Sequence, residues 1–176
     1  MMLRKLKTFI LYVVSFHIVR ILCDIFLPNF HGANIARGFL LGFFFKSCGK
    51  RFAVASGCTF NSVWNLVVEE DVYIAHNCWI NAAGGLHIGA GVILSPNVVV
   101  ATTAHDRVDS RVSLRKSKQS PITIGRGAWV ASNAVVTRGA VIGDGSVVGA
   151  CSVVVGEVAP NSFYCGNPAE FIKSIS

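Results

Sequence analysis

From Ile124 to Val158 one class of residue returns at every sixth position. Ile124, Val130, Val136, Ile142, Val148 and Val154 hold the register, and four residues after each comes a small or aliphatic one: Ala128, Ala134, Ala140, Ser146, Ser152 and Val158. A helix repeats near 3.6 residues and a free strand near 2, and neither calls for the same residue class at every sixth place. A short parallel strand followed by a sharp turn, repeated, does. The aliphatic side chain then fills the inside of a coil and the small one leaves room at the corner. This is the hexapeptide signature of a parallel β-helix.

The register extends upstream. Val68, Ile74 and Ile80 form one series; after a two-residue slip Ile88, Leu94 and Val100 form another, with Val54 and Phe60 fitting loosely before both. The repeat therefore occupies 51–159, between an apolar helical segment, 1–50, and a C-terminal cap, 160–176. It is interrupted once, at 105–120, by a loop carrying Arg107, Arg111, Arg115, Lys116 and Lys118. A long insertion in a strict repeat is usually functional. Poor register over Gly49–Leu66 predicts irregular turns there.

The stretches VVVATTAHD (98–106), PITIGRGAWVASNAVVTRGAVIGDGSVVGACSVV (121–154) and YCGNPAEFIK (164–173) resemble the hexapeptide-repeat acyltransferases. The match is to the branch of maltose, galactoside and polysaccharide O-acetyltransferases. The resemblance implies an all-β, left-handed parallel β-helix. That hand runs against the usual right-handed crossover and is not visible in the spacing. It also implies a homotrimer with active sites between subunits, and acetyl-CoA as cosubstrate with no metal. The extruded loop would lean over the site, and Glu170–Lys173 would begin a short capping helix.

Acyl transfer to a hydroxyl needs a base on that hydroxyl and donors for the oxyanion. Of five histidines only His105, at the start of the extruded loop, sits in the family's catalytic context. Imidazole suits the task because its unperturbed titration lies near neutrality. The resemblance makes His105 the general base of a direct transfer, with Asp106 either orienting it or serving the loop. By the same resemblance Trp129 lies beside the pantetheine arm, and Ala131 and Ser132 contact acyl-CoA. Ala150 permits its close approach, and Lys173 reaches its phosphates. Gly156 and Glu170 stand where basic residues are frequent. Asn77 and Asn81 are candidate acceptor-binding residues, at a corner expected opposite the histidine. Ala83 stands there in place of a common acidic residue. An asparagine in a plain turn is the alternative for both.

The first 50 residues read differently. Arg4, Lys5 and Lys7 precede the apolar run Phe9–Leu27, which Pro28 closes. The run is long enough to span a bilayer. However, it contains His17, Arg20 and Asp24, and a central charge costs roughly 2.5–3.5 kcal/mol on insertion scales. Spacings of three and four place these on one helical face. Such a helix suits packing on the β-helix or a neighbouring subunit, or peripheral membrane contact through residues 1–45, better than a span. A mean hydropathy of +0.55 with 14% charged residues likewise points to oligomer or membrane contact.

The net charge of +7 is split into local clusters with no nucleic-acid module, so no nucleic-acid partner is expected. Six cysteines without metal-ligand spacing fit a reducing cytoplasm, with a place peripheral to the inner face of the cell membrane as the second expectation. Histidine spacing also disfavours the metal-dependent carbonic anhydrases of this fold. The expected function is an O-acetyltransferase acting on a sugar or glycan, lipid-linked in one reading, in surface-polysaccharide assembly. An N-acetyltransferase acting on an amino sugar and a non-catalytic β-helix scaffold are the alternatives.

Overall fold

The computed structural model describes residues 13–175. Each coil contributes short parallel strands to three sheets. The first sheet stacks Ser47–Cys48, Leu66–Val68, Leu86–Ile88, Ile122–Ile124, Val141–Ile142 and Glu157–Val158. The second stacks Ala53–Val54, Tyr73–Ile74, Ile93–Leu94, Trp129–Val130, Val147–Val148 and Ser162–Cys165. The third stacks Thr59–Asn61, Trp79–Asn81, Val99–Ala101, Val135–Thr137 and Val153–Val154. The chain visits the three sheets in turn, giving a triangular left-handed parallel β-helix.

Strands this short alternate inward and outward, so one aliphatic residue per strand suffices to fill the interior. Val54, Phe60, Ile74, Ile80, Leu94, Val100, Ile124, Val130, Val136, Ile142, Val148 and Val154 are all buried. The small residues sit at inner corners: Cys58, Cys78, Ala134 and Ser152 line one, and Ala128 and Ser146 another. Outside the corner between the second and third sheets, Asn77, Asn97, Asn133 and Cys151 all take positive φ near 60°. Asparagine tolerates this left-handed region better than most residues.

The first coil departs from expectation. Ser47–Cys48, Ala53–Val54 and Thr59–Asn61 form an ordinary coil, and the irregularity is confined to Ser62, with φ 56°, and a 3-10 turn at Val63–Asn65. The cause is coil length. Val54, Ile74 and Leu94 are 20 residues apart, whereas Val130 and Val148 are 18 apart. Two added residues preserve the inward–outward phase because the strand period is two. In the first two coils they are absorbed at one corner, between the third and first sheets.

The C-terminal end needs a correction. Glu170–Ser174 is a strand, not a helix. It runs antiparallel to Ser162–Cys165, pairing Ser162 with Ser174 and Phe163 with Lys173. A helix would have left the last coil's edge groups unpaired, whereas a returning strand satisfies them. Phe171 packs edge-on against Tyr164, ring centroids 5.8 Å apart.

At the other end, helices α1 (Phe16–Phe26) and α2 (His31–Gly42) cover the first coil. Phe16, Leu41 and Phe45 join Phe52 and Phe60 in the core. Arg37 is 1% exposed and donates to the Val54 and Leu27 carbonyls and to Asn34 Oδ1, each at 2.8 Å. A buried guanidinium is tolerable only when so matched. Among the described residues no helix is long and apolar enough to cross a membrane. Arg4, Lys5, Lys7 and the first part of the apolar run lie outside them.

Candidate active site

The corner that absorbs the extra residues also carries the hairpin. The 3-10 turn of the first coil, the Ala82–Gly85 turn of the second and the insertion of the third stack on one another. Asn65 Nδ2 donates to the Ala83 carbonyl at 3.1 Å. The buried Thr102 hydroxyl donates to the Asn81 carbonyl at 2.7 Å and accepts the Gly84 N–H at 2.9 Å. Gly84 is required here, because a Cβ would stand 2.8 Å from the Thr102 carbonyl and 2.9 Å from that of Ser120. The expected opposition between this corner and the histidine is therefore replaced by adjacency.

From this base rises an antiparallel hairpin, Thr103–Val108 with Arg111–Gln119. Asp109 and Ser110, with φ 48° and 63°, form its two-residue turn, the conformation that matches strand twist. His105 pairs with Ser117 and Arg107 with Val112. Between those pairs one strand has Asp106 alone and the other has Ser113–Lys116. The excess forms a bulge, held by the Ser113 hydroxyl, which accepts the N–H groups of Lys116 at 2.9 Å and Arg115 at 3.2 Å. Bulges of this kind re-aim neighbouring groups. Here the Ser113 carbonyl lies 3.0 Å from His105 Nδ1.

A carbonyl only accepts, so Nδ1 carries the proton. In the neutral ring Nε2 then holds the free lone pair, the arrangement a general base requires. Asp106 does not orient the ring. Its carboxylate accepts the Arg107 N–H at 2.9 Å and pairs with Lys118 Nζ at 3.3 Å. Those two partners, the N–H first, hold it below the ordinary carboxylate range. Sequence reasoning missed Ser113, since nothing in its spacing signals that its carbonyl meets the histidine.

Asn81 belongs to this corner. Its amide donates to Thr103 Oγ1 at 3.1 Å and accepts the Ala83 N–H at 3.0 Å. Asn77 lies at a different corner, in the positive-φ column between the second and third sheets, away from the hairpin.

The acyl-CoA candidates gather elsewhere. Trp129 is 46% exposed on the second sheet, and its indole N–H donates to Ser95 Oγ at 2.8 Å. In register it is followed by Val147, Phe163 and Lys173. Three strand spacings separate Trp129 from Lys173, roughly 14 Å on the same face. Ala131 and Ser132 turn the adjoining corner, where the Ser132 carbonyl accepts the Cys151 N–H at 3.0 Å, so Ala150 lies one coil further on. Within one chain the hairpin corner is the apex opposite the second sheet. His105 and Asn81 thus form one group and the acyl-CoA candidates another, with the triangle's thickness between them.

Two other histidines have polar partners of their own. His76 Nδ1 lies 3.5 Å from Ser56 Oγ and His87 Nε2 3.1 Å from Glu69 Oε1. Among the described residues no three His, Cys, Asp or Glu side chains gather as a metal set would.

Comparison with known proteins agrees with this architecture. Residues 121–156 match the family profile described as bacterial transferase hexapeptide (six repeats). The chain is 32% identical over 135 residues to the galactoside O-acetyltransferase of Escherichia coli K12, covering 75% of this chain and 65% of that one. It thus spans just under two thirds of that relative's length. It is 30% identical over 137 residues to WcaF of the same organism, named for colanic acid biosynthesis as an acetyltransferase, covering 78% and 74%. A galactoside acetyltransferase solved in complex with coenzyme A superposes with a TM-score of 0.81 at 28% identity, covering 93% of this chain and 80% of that one. A maltose O-acetyltransferase from Clostridium difficile 630 gives 0.79 at 27%, covering 94% and 87%.

Proposed function

The chain belongs to the hexapeptide-repeat acetyltransferases, and on that premise we propose that it moves an acetyl group from acetyl-CoA to a sugar hydroxyl, with His105 as general base. The observation that carries the proposal is the His105 Nδ1 contact with the Ser113 carbonyl, which leaves Nε2 as the proton acceptor. Nε2 takes the hydroxyl proton as the sugar oxygen bonds to the acetyl carbonyl. When the carbon–sulfur bond breaks, the same proton passes to the departing thiolate. No acyl-enzyme is needed.

Trp129, Ala131, Ser132, Ala150 and Lys173 are proposed to hold acetyl-CoA along the second sheet, and Asn81 to border the acceptor. Asn77 is accounted for by its turn. Because His105 and the Trp129 column lie on opposite sides of one chain, the complete site joins the hairpin of one subunit to the second sheet of the next, in a trimer. The exposed, partly apolar outer faces at Trp79, Ile93 and Val141 support such packing. The relatives' names, for galactoside, maltose and colanic acid, favour a glycan acceptor in surface-polysaccharide assembly.

Thiol release from acetyl-CoA across a panel of galactosides, maltose and amino sugars tests the reading. His105→Ala should lower kcat about 10²–10⁴-fold while calorimetry finds acetyl-CoA affinity within a few-fold of wild type. Unchanged turnover removes His105 from the mechanism, and transfer to amino sugars alone reassigns the acceptor.

A further inference from the structure

Helix α1 is inverted relative to an ordinary surface helix. Its charged stripe faces the protein: Arg20 pairs with Asp24 at 3.1 Å and reaches the Cys58 carbonyl at 3.5 Å. Asp24 also accepts the Gly57 N–H at 3.4 Å and lies 3.6 Å from Arg37 Nε. The apolar side is therefore left outward. Ile18, Ile21, Leu22, Ile25 and Phe26 form one exposed stripe, with Ile25 at 67% and Phe26 at 73%. Leu40 of α2 lines an apolar hollow with Leu22 and Phe26, and further round α2 Phe39 and Phe43 are exposed in edge-on contact at 4.8 Å. Monomeric soluble proteins rarely expose a contiguous apolar face of this kind without a use.

Charge selects the occupant. Residues 1–52 hold eight of the 16 Lys and Arg but one of the nine acidic residues, so the whole +7 resides there and residues 53–176 balance to zero. The single acid, Asp24, is taken by Arg20 and Arg37. Lys50 and Arg51 line the groove that holds Phe39 and Phe43. Arg51 pairs with Asp71, while among the described residues Lys46 and Lys50 have no acidic partner. A second copy docking through this face would set its own Lys46 and Lys50 against these two, like charge against like. An anionic, deformable apolar surface answers both properties at once.

We propose that the helical cap is a docking surface for anionic lipid. The outward stripe of α1 and the Phe39–Phe43 pair enter the headgroup–acyl boundary, and Lys46 and Lys50 lie against the headgroups. The cap rests on the surface with the β-helix standing away from it. This assignment is independent of His105 and of the acetyl donor.

The test is co-sedimentation of the purified full chain with vesicles of phosphatidylcholine alone and with 30% phosphatidylglycerol. Partition should be at least tenfold stronger on the anionic vesicles and fall with added salt. Lys46→Glu with Lys50→Glu should weaken it by about fivefold or more per site, since a basic residue near an anionic surface contributes about 1 kcal/mol. Ile25→Glu with Phe26→Glu should weaken it at least tenfold. Both side chains point to solvent, so melting temperature and elution volume should not move. No partition of the wild type, or equal partition on neutral and anionic vesicles, overturns the proposal. A changed oligomeric state in the Ile25→Glu, Phe26→Glu variant overturns it in favour of a protein partner.

Discussion

Gly38→Ala in α2 sets two opposed effects against each other. Helix propensity favours alanine over glycine by roughly 1 kcal/mol in a helix interior. The structure forbids the methyl: a Cβ at Gly38 would stand 2.1 Å from the Phe52 carbonyl oxygen and 2.7 Å from its carbon. These are backbone atoms of the first coil and no rotamer change relieves them, so α2 must retreat by about 1 Å to restore ordinary contact. The neighbouring Arg37 reaches the Val54 carbonyl at 2.8 Å, and that bond is the first to lengthen. Hydrogen bonds to a charged group are worth about 1.5–3 kcal/mol, and the guanidinium stays buried whether or not it is bonded. Loss exceeds gain, for a net destabilisation of roughly 2 kcal/mol, or about 4–8 °C in a chain of this size. Gly32→Ala in the same helix is the control. Its Cβ would meet only the Phe30 ring, at 3.1 Å, and Phe30 is exposed and free to turn. Calorimetric melting should show Gly32→Ala at or slightly above wild type and Gly38→Ala well below it. Equal melting of the two variants would refute the close packing of α2 on the first coil.

Trp129→Ala should weaken coenzyme A binding about tenfold by calorimetry while moving Tm little, because the indole is half exposed; unchanged affinity would break the proposed cosubstrate column. Ser113→Ala removes the acceptor that holds the Arg115 and Lys116 N–H groups and frees the bulge behind His105. It should lower kcat about tenfold with KM for acetyl-CoA unchanged and be rescued by Ser113→Thr, whereas a parallel rise in KM would point to general loosening. Asp106 is held below its ordinary value, so its contribution is full above the unfolded carboxylate pKa of about 3.9 and is lost as pH falls through the lower folded value. Hydrogen exchange of residues 103–119, corrected for intrinsic rate, should therefore stay protected at pH 5 and open only well below pH 4; opening already at pH 5 would contradict the depressed carboxyl.

The six-residue register was enough to read the coils, because a three-sided stack demands one inward aliphatic per strand and the sequence supplies it. The loop was legible for a related reason, since an insertion is conspicuous where a strict period stops; His105 at its start was singled out by the family resemblance, and its role as base is a proposal. Other features depended on contacts that no spacing encodes. The extra residues at Val63–Asn65 looked like lost register, yet an insertion of two keeps the strand phase. Phe171 and Ile172 are as compatible with a strand as with a helix, and the open edge at Ser162–Cys165 decides between them. Asn77 and Asn81 are alike in sequence, but one takes positive φ in a turn column and the other bonds the foot of the hairpin. The stripe of Arg20 and Asp24 was visible as a stripe; that it faces inward follows from Gly57, Cys58 and Arg37, which are distant along the chain.

The stack of coils also fixes a height. The hairpin leaves the third coil, two steps from the capped first one, and each step is about 4.8 Å. With the cap on a lipid surface as proposed, His105 would stand in a layer on the order of 10 Å above the first coil, with the thickness of the helical cap beneath that, clear of the headgroups and level with sugars they carry. Adding or deleting one 20-residue coil between cap and hairpin would raise or lower that layer by a single step without altering the chemistry. Coil number would then decide how far along a surface-anchored glycan the enzyme can reach.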